Sequence, residues 1–203
     1  MGSDFGQRLD RYGELAVRVG VNLQPGQRLV IRSPIEAASL TRRITEQAYK
    51  AGASFVDVTW RDDHVLLARY LHSDDNSLDA YSEWRAVSAM EGAERGDALI
   101  SVVAEDPALF ADIDPARIAR VLKVGREHLM PFTRLTMAHA FRWCVVSSAV
   151  PAWATKVFPG DTNTAEERLW DEIFKMVRVD QPGHLEAFER HIDVLAERRK
   201  YLT

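Results

Sequence analysis

The chain has 203 residues, of which 46% are hydrophobic and 28% are charged, and its formal net charge is −4. This length allows one well-buried core, and the acidic balance argues against a surface built to coat nucleic acid. No apolar run approaches the ~18 residues that a membrane span needs, and the first residues lack the pattern of a secretory signal. We therefore expect a cytoplasmic protein with no nucleic-acid partner and no membrane partner.

Helical and strand patterns alternate along the chain. Apolar residues at helical spacing from Phe5 to Val19 predict a first helix that stops at Gly20. Strands are predicted at Leu29–Ile31, Phe55–Trp60, Ala98–Val103 and Phe141–Val146. Further helical stripes cover residues 37–51, 81–87, 118–129, 169–176 and 185–195, with Leu122, Met176, Ile192 and Leu195 among the residues expected to face inward. The alternation predicts a single α/β domain over residues 1–203, with a mostly parallel sheet of about four to five strands flanked by helices on both faces.

Connecting segments and helix starts carry more local signals. Asp114 before Pro115 predicts a cap followed by proline in the first helical turn. Thr164 and Glu167 predict a capping box, in which each side chain bonds the other residue's exposed backbone donor. Pro151 is expected to open an aromatic-rich turn, and a polar stretch without regular structure is expected before Tyr81.

Metal ligands are the first kind of catalytic group to test. The chain has no His-Glu-x-x-His pair, and His184 and His191 lie two helical turns apart, roughly 10 Å, which is too far for one ion. Asp62, Asp63 and His64 follow the second strand, where open α/β sheets bind ligands. Adjacent acids at such a position more often cap the next helix. The sequence therefore predicts no metal site and no catalytic residue in this chain.

Other catalytic patterns are equally absent. There is no Gly-x-Ser-x-Gly elbow around Ser147 and Ser148, which argues against an α/β-hydrolase. Glycine-rich phosphate loops are missing, and the expected turn Arg32–Glu36 after the first strand carries an acid where a dinucleotide phosphate would sit. Cys144 lies in an apolar run and is expected to be a buried structural thiol rather than a nucleophile.

A basic stripe on the fourth predicted helix has two interpretations. Its members are Arg117, Arg120, Lys123 and Arg126. They could contact phosphate or an acidic partner, but a solvated helix face beside local acids is the more common arrangement.

Six segments in a fixed order along the chain carry a resemblance to a known family: Leu15–Gln27, Glu46–Ala53, Trp60–Asp63, Asp114–Ala119, Pro151–Pro159 and Glu189–Ile192. Together they resemble the thermophilic metalloaminopeptidase family that includes aminopeptidase T, aminopeptidase S and PepS. Phe188 stands where the family often has Trp. The resemblance implies the N-terminal domain of an enzyme roughly twice as long, because the metal-binding catalytic domain of the family has no counterpart in this chain.

The resemblance also implies what the parent enzyme does. It would remove N-terminal residues from peptide substrates, with two divalent metal ions (zinc, cobalt or manganese) that activate water and polarise the scissile carbonyl. This domain would wall the active-site cavity and support a homodimer, without metal ligands and inactive alone. Cavity or interface contacts are predicted at Trp60, Asp62, Arg69 and Trp153.

Two alternatives stay open. The chain could be a free-standing, non-catalytic binding or interaction module derived from the same family, which a stop codon directly after Thr203 would favour. A nucleotide-binding α/β domain is a weaker alternative, supported only if a helix N-terminus holds a phosphate-sized anion.

Overall fold

A four-stranded parallel sheet forms the centre of the protein, whose computed structural model describes residues 3–161 and 163–201. The strands are β1 (Arg28–Pro34), β2 (Phe55–Arg61), β3 (Ala98–Val103) and β4 (Trp143–Ser147), in the order β2-β1-β3-β4. The chain therefore runs outward from β1 to β2 and then returns across β1 to β3. This reversal makes the β1/β3 boundary a topological switch point, the usual ligand site of open α/β sheets.

Helices connect the strands and cover both faces of the sheet, as the sequence predicts. The described helices are α1 (Ser3–Leu15), α2 (Ala38–Lys50), α3 (Asp63–His72), α4 (Glu83–Arg95), α5 (Pro115–Met137), α6 (Pro151–Val157), α7 (Ala165–Met176) and α8 (His184–Arg199). The first helix widens into a π turn at residues 16–20 and ends at Gly20, as expected. None of the described helices is long and apolar enough to cross a bilayer.

The main hydrophobic core lies on the first face of the sheet, beneath α1, α2 and α7. Alternate residues of β1, Leu29 and Ile31, point into it and are fully buried. Phe174 of α7 is also fully buried, in ring contact with Phe5, Tyr12 and Trp170. A strand buried on one face by β-branched and aliphatic side chains in this way is strongly fixed in register.

Tyr12 ties the first helix to the far strand of the sheet. Its hydroxyl donates a hydrogen bond to the Ser147 carbonyl at 3.1 Å and accepts one from the Ser147 N–H at 3.0 Å. Burial raises the pKa of Tyr12 to about 12, so the hydroxyl keeps its proton and both bonds persist at neutral pH.

The second face of the sheet is covered less tightly. Leu99 of β3 packs with Phe132, Phe141 and Ala93 in a smaller cluster beneath α4 and α5. A third cluster, around Tyr70, Leu78 and Ile113, joins the α3 region to α5. The second face therefore has a discontinuous apolar layer, and this leaves room for the cavity described below.

Several boundaries predicted from the sequence were wrong. β1 runs through Pro34, so Arg32 and Ser33 lie in the strand and not in a turn. The expected polar stretch contains α3, and Pro151 opens the short helix α6 instead of a turn. Proline at the first helical position loses no hydrogen bond, which is why the helix can begin there.

Two helix caps can be compared with their predictions. The Asp114 carboxylate accepts a hydrogen bond from the Ala116 N–H at 2.9 Å, with Pro115 in the first turn, which confirms the first cap. The capping box at Thr164 is wrong, because its hydroxyl donates to Asp161 at 2.7 Å. Asp161 also accepts from the Thr164 N–H at 2.9 Å. Asp161 thus bonds the N–H that the capping box assigned to Glu167, and the Thr164 side chain does not cap the helix.

Some residues expected to face the core are instead exposed. These are Leu122 on α5, Met176 on α7, and Ile192 and Leu195 on α8. In each case the inward face of the helix is narrower than its apolar stripe. On α7, for example, Leu169 and Ile173 are buried as expected, whereas Met176 is exposed although Val177 and Val179 after it pack in the core.

Candidate functional site

A cavity of about 450 Å³ separates α4 from the second face of the sheet. The even-numbered residues of β1 form its floor, α4 and the preceding Tyr81 form one wall, and α5 contributes Leu129 and Phe132. Its volume lies within the range of small-molecule sites, and it adjoins the β1/β3 switch point. We call this the α4 cavity.

Arginines dominate the charge of the α4 cavity, although the chain as a whole is acidic. Five arginines and two aspartates line it, namely Arg28, Arg32, Arg61, Arg85, Arg95, Asp57 and Asp97. Their formal charges leave a net charge of +3. Low-dielectric walls concentrate such a field, so the cavity favours anions over cations.

Asp97 balances the charge at the amino end of the cavity. Its carboxylate is only 4% exposed and accepts bonds from Arg95 Nε and Nη2, the latter at 2.6 Å. Arg28 approaches the same carboxylate at 3.7 Å and stacks over Phe55. The hydrogen bond to Asp97 raises the pKa of Arg95. The Asp97 carboxylate therefore finds its partners within the protein, and this ion cluster has a structural role.

Arg32 occupies the middle of the cavity without an ionic partner. Its guanidinium carbon lies 4.6 Å from the centre of the Phe132 ring, and it makes no ion pair or hydrogen bond with any described residue. Burial lowers its pKa, but a guanidinium starts high enough to stay charged at neutral pH. The cation–π contact orients the group while leaving its N–H donors unused.

Tyr81 places a second unused polar group in the same wall. Its ring stacks on His128 with centroids 4.3 Å apart, and its hydroxyl oxygen is buried without a hydrogen-bond partner among the described residues. Burial raises the pKa of Tyr81, so the hydroxyl remains a neutral donor. An unsatisfied buried hydroxyl costs free energy, and such a group in a cavity wall is what a polar ligand would satisfy.

The four residues predicted to contact a cavity or interface are not brought together. Trp60, at the end of β2, lines the α4 cavity and is 43% exposed. Asp62 accepts from the His64 N–H at 2.9 Å and caps α3, while Arg69 donates to the carbonyls of Ser77 and Ala80, both at 2.7 Å.

The remaining predicted residue, Trp153 of α6, lies on the other side of the sheet. It is half-buried and packs against the core of the first face. Of the four, Trp60 alone lines the α4 cavity. Asp62 and Arg69 instead bond to α3 and the segment after it, and Trp153 packs against the core of the first face.

The sequence reasoning missed Arg32 and Tyr81. A signal was present, because Arg28 and Arg32 alternate with the buried Leu29 and Ile31 along β1. Two arginines four residues apart lie on the same face of a strand, and in an interior strand they indicate a polar space on that face of the sheet. The expected turn at Arg32 hid this alternation. Tyr81 was placed on a helical stripe, although α4 begins after it.

The other polar candidates have structural partners. Arg117 bonds Asp75 and two backbone carbonyls, and Arg120 makes a two-point pair with Asp79 at 2.5–2.6 Å. Two members of the basic stripe are therefore paired with acids, as expected, but these acids come from the segment between α3 and α4 and are not local in the sequence. Cys144 is half-buried, and burial raises its pKa to about 12, so its thiol is protonated at neutral pH.

The histidines also have separate environments. His184 lies 3.3 Å from Glu14, and His191 contacts Arg178 at 3.0 Å. Within residues 3–161 and 163–201, no three His, Cys, Asp or Glu side chains form a group that could hold a metal ion. The donor set described here therefore does not fit a two-metal centre.

Fold and cavity together define a parallel α/β domain with an anion-attracting cavity beside its switch point. Residues 5–203 match the family described as thermophilic metalloprotease (M29), and the chain belongs to that family. It is 40% identical over 199 residues to Aminopeptidase 2 of Geobacillus stearothermophilus, a match that covers 97% of this chain and 48% of that protein. It is 37% identical over 200 residues to Aminopeptidase AmpS of Bacillus subtilis, covering 98% and 49% of the two chains.

A solved structure shows the same architecture. Wild-type AmpT from Thermus thermophilus superimposes with a TM-score of 0.80 and 32% sequence identity, covering 84% of this chain and 43% of that one. The likeness confirms the α/β fold. The chain spans about half the length of the curated relatives it matches.

Proposed function

We propose that this chain is the N-terminal domain of a metal-dependent aminopeptidase that removes N-terminal residues from peptides. The observation that carries the proposal is the family match over residues 5–203, together with relatives that are named aminopeptidases. The match covers about half of those relatives, which fits one domain of a larger enzyme. A cytoplasmic homodimer without nucleic-acid or membrane partners is part of the same proposal.

The metal ligands of the proposed enzyme lie outside this chain. The family is a metalloprotease family, whereas the described residues lack a group of three ligands that could bind an ion. The proposed pair of divalent ions, zinc, cobalt or manganese, would therefore need a donor set from another domain. The chain alone would be catalytically inactive.

This domain would contribute a wall of the substrate cavity. Trp60 supports this role, because a large aromatic side chain that is 43% exposed at the carboxyl end of β2 is available for contact. Asp62 and Arg69 would keep the neighbouring α3 surface in place through their cap and carbonyl bonds. Trp153 would act at an interface, through the exposed part of its ring.

The test uses hydrolysis of leucine-p-nitroanilide, with and without Co²⁺ or Zn²⁺. The 203-residue protein alone should show no metal-dependent release. A chimera in which it replaces the matching half of the Geobacillus aminopeptidase should show that release. Activity of the isolated chain would contradict the placement of the ligands, and a folded but inactive chimera that binds metal would contradict the domain role.

Trp60 can be tested in the same chimera. Trp60→Ala should raise KM severalfold with a smaller effect on kcat, because a wall contact contributes to binding rather than to the chemical step. Tyr201→Ala is the matched control, since Tyr201 is 90% exposed and does not line the α4 cavity. Equal KM values for the two variants would contradict a contact between Trp60 and the peptide substrate of the proposed enzyme.

A non-catalytic binding module remains the second candidate, and the α4 cavity is the observation that favours it. Unused donors on Arg32 and Tyr81 indicate a ligand site that needs no metal. An inactive chimera combined with ligand binding by the isolated chain would support this alternative.

A further inference from the structure

Three polar groups of the α4 cavity could form hydrogen bonds to a ligand. Arg32 has no hydrogen-bond or ionic partner among the described residues, and the Tyr81 hydroxyl is buried without one. Arg85 lines the same wall, 5.5 Å from the centre of the Trp84 ring, and makes no ion pair with the described part of the chain. Arg32 and Arg85 can only donate hydrogen bonds and the Tyr81 hydroxyl can donate one, so a single acceptor could bond to all three.

The nearby carboxylates do not supply that acceptor. Asp97 is occupied by Arg95 and Arg28, and Glu105 is paired with Arg61 at 2.8 Å. Asp57 also lines the cavity, but it is not within 4.0 Å of a guanidinium of the described residues. The unpaired N–H donors of Arg32 therefore favour an anion that comes from outside these residues.

The rest of the cavity constrains the shape of the anion. Val30, Leu99, Phe132 and Phe141 line it beside Arg32 and form an apolar surface. A guanidinium offers parallel N–H donors that match the two oxygens of a carboxylate, and one hydroxyl can add a third bond. Apolar walls have no favourable contact for a phosphate, which carries no hydrocarbon.

We propose that the α4 cavity binds a small monocarboxylate with an apolar body, whose carboxylate is held by Arg32 and the Tyr81 hydroxyl. The hydrocarbon lies against Phe132, Phe141 and Leu99. This site belongs to the chain itself and does not depend on the peptidase activity of the parent enzyme. A free apolar amino acid also presents a carboxylate of this kind, but its ammonium group would meet the excess positive charge, so simple carboxylates bind better.

The experiment is a calorimetric titration of the 203-residue protein with 4-methylpentanoate. A ligand of this size with one charge-assisted contact should bind with Kd on the order of 1 mM. The neutral 4-methylpentanamide should bind at least about tenfold more weakly, because it lacks the charge that Arg32 recognises. Inorganic phosphate should also bind at least about tenfold more weakly, because it has no apolar body.

Variants then locate the site. Arg32→Gln should weaken 4-methylpentanoate about tenfold to a hundredfold, and Tyr81→Phe about threefold to tenfold. Arg126→Gln is the matched control, because it removes the same charge from an exposed position of α5 outside the cavity, and it should leave Kd unchanged. Circular dichroism and Tm confirm that each variant is folded.

Each contrary result overturns a defined part of the proposal. Equal binding of the amide would refute recognition of the charge, and equal binding of phosphate would refute the apolar body. No saturable heat from the folded protein at 50-fold the expected Kd, at each of two well-separated temperatures, would refute the site itself, because the heat capacity change of apolar burial prevents a zero enthalpy at both. These arms use the unmodified protein, so the proposal stays testable even if Arg32→Gln fails to fold.

Discussion

The two faces of β1 should differ sharply in how much they contribute to stability. Ile31 is fully buried in the main core, whereas its neighbour Val30 is half-buried and lines the α4 cavity. Truncation of each residue to alanine removes only hydrocarbon. The comparison therefore measures packing on the two faces of one strand without introducing charge.

The magnitudes follow from burial. Ile31→Ala removes three buried carbons, about 2.4 kcal/mol of transfer free energy at ~0.8 kcal/mol each, and the enclosed void raises the total to about 3–4 kcal/mol. Val30→Ala removes two carbons beside an existing cavity, so no new enclosed void forms and the cost is roughly 1 kcal/mol. For a chain of this size, Ile31→Ala should lower Tm by about 10 °C.

Urea unfolding followed by circular dichroism measures both free energies of unfolding. The m-values should stay equal, because neither change alters the surface exposed on unfolding by much. Similar losses for Ile31→Ala and Val30→Ala would refute the reasoning, because they would mean that the second face is packed as densely as the first. A larger loss for Val30→Ala would mean that the α4 cavity is closed.

Three further predictions concern single contacts. Thr41→Val should destabilise the protein by about 1–2 kcal/mol in urea unfolding, because it removes the buried hydroxyl contact to Ser33 at 2.7 Å. Gly96→Ala should lower the free energy of unfolding by about 1 kcal/mol, because Gly96 has φ +79 after α4, where alanine is strained. Gly125→Ala inside α5 should raise it by about 0.5–1 kcal/mol, because alanine is the better helix former. The same sign for both changes would contradict the backbone argument. Burial raises the pKa of Cys144 to about 12, and only the thiolate reacts with a thiol reagent. At pH 8, Cys144 should therefore react about a thousandfold more slowly in the native protein than in the unfolded protein. Its native rate should rise about tenfold per pH unit between pH 8 and 10, and a plateau below pH 9 would contradict the raised pKa.

Elements with a complete local signal were predictable from the sequence. The run Ala98–Val103 has continuous apolar character, and its bounds agree with β3 because both faces of that strand are covered. The cap at Asp114 was predictable because all of its partners lie within a few residues. Family membership was predictable from ordered motifs, and the match over residues 5–203 confirms it.

The misses have two causes. The bonds of Asp161 to Thr164 are local, but the capping-box pattern at Thr164 and Glu167 was read in their place. Met176 is exposed because the inward face of α7 is narrower than its apolar stripe, since Val177 and Val179 beyond it still pack in the core. The width of that buried face depends on the placement of elements that are distant in the sequence.

The α4 cavity has one part that local sequence predicts and one part that it does not. The alternation of Arg28 and Arg32 with Leu29 and Ile31 is local, and it already separates a polar face of β1 from an apolar one. Whether the polar face meets solvent, a packed helix or a cavity depends on where α4 lies, and α4 packs against α5 and leaves space above the strand. Phe132 of α5 then turns Arg32 toward that space through its ring. A strand that would otherwise be covered on both faces thus keeps one half-buried cation available for an anion.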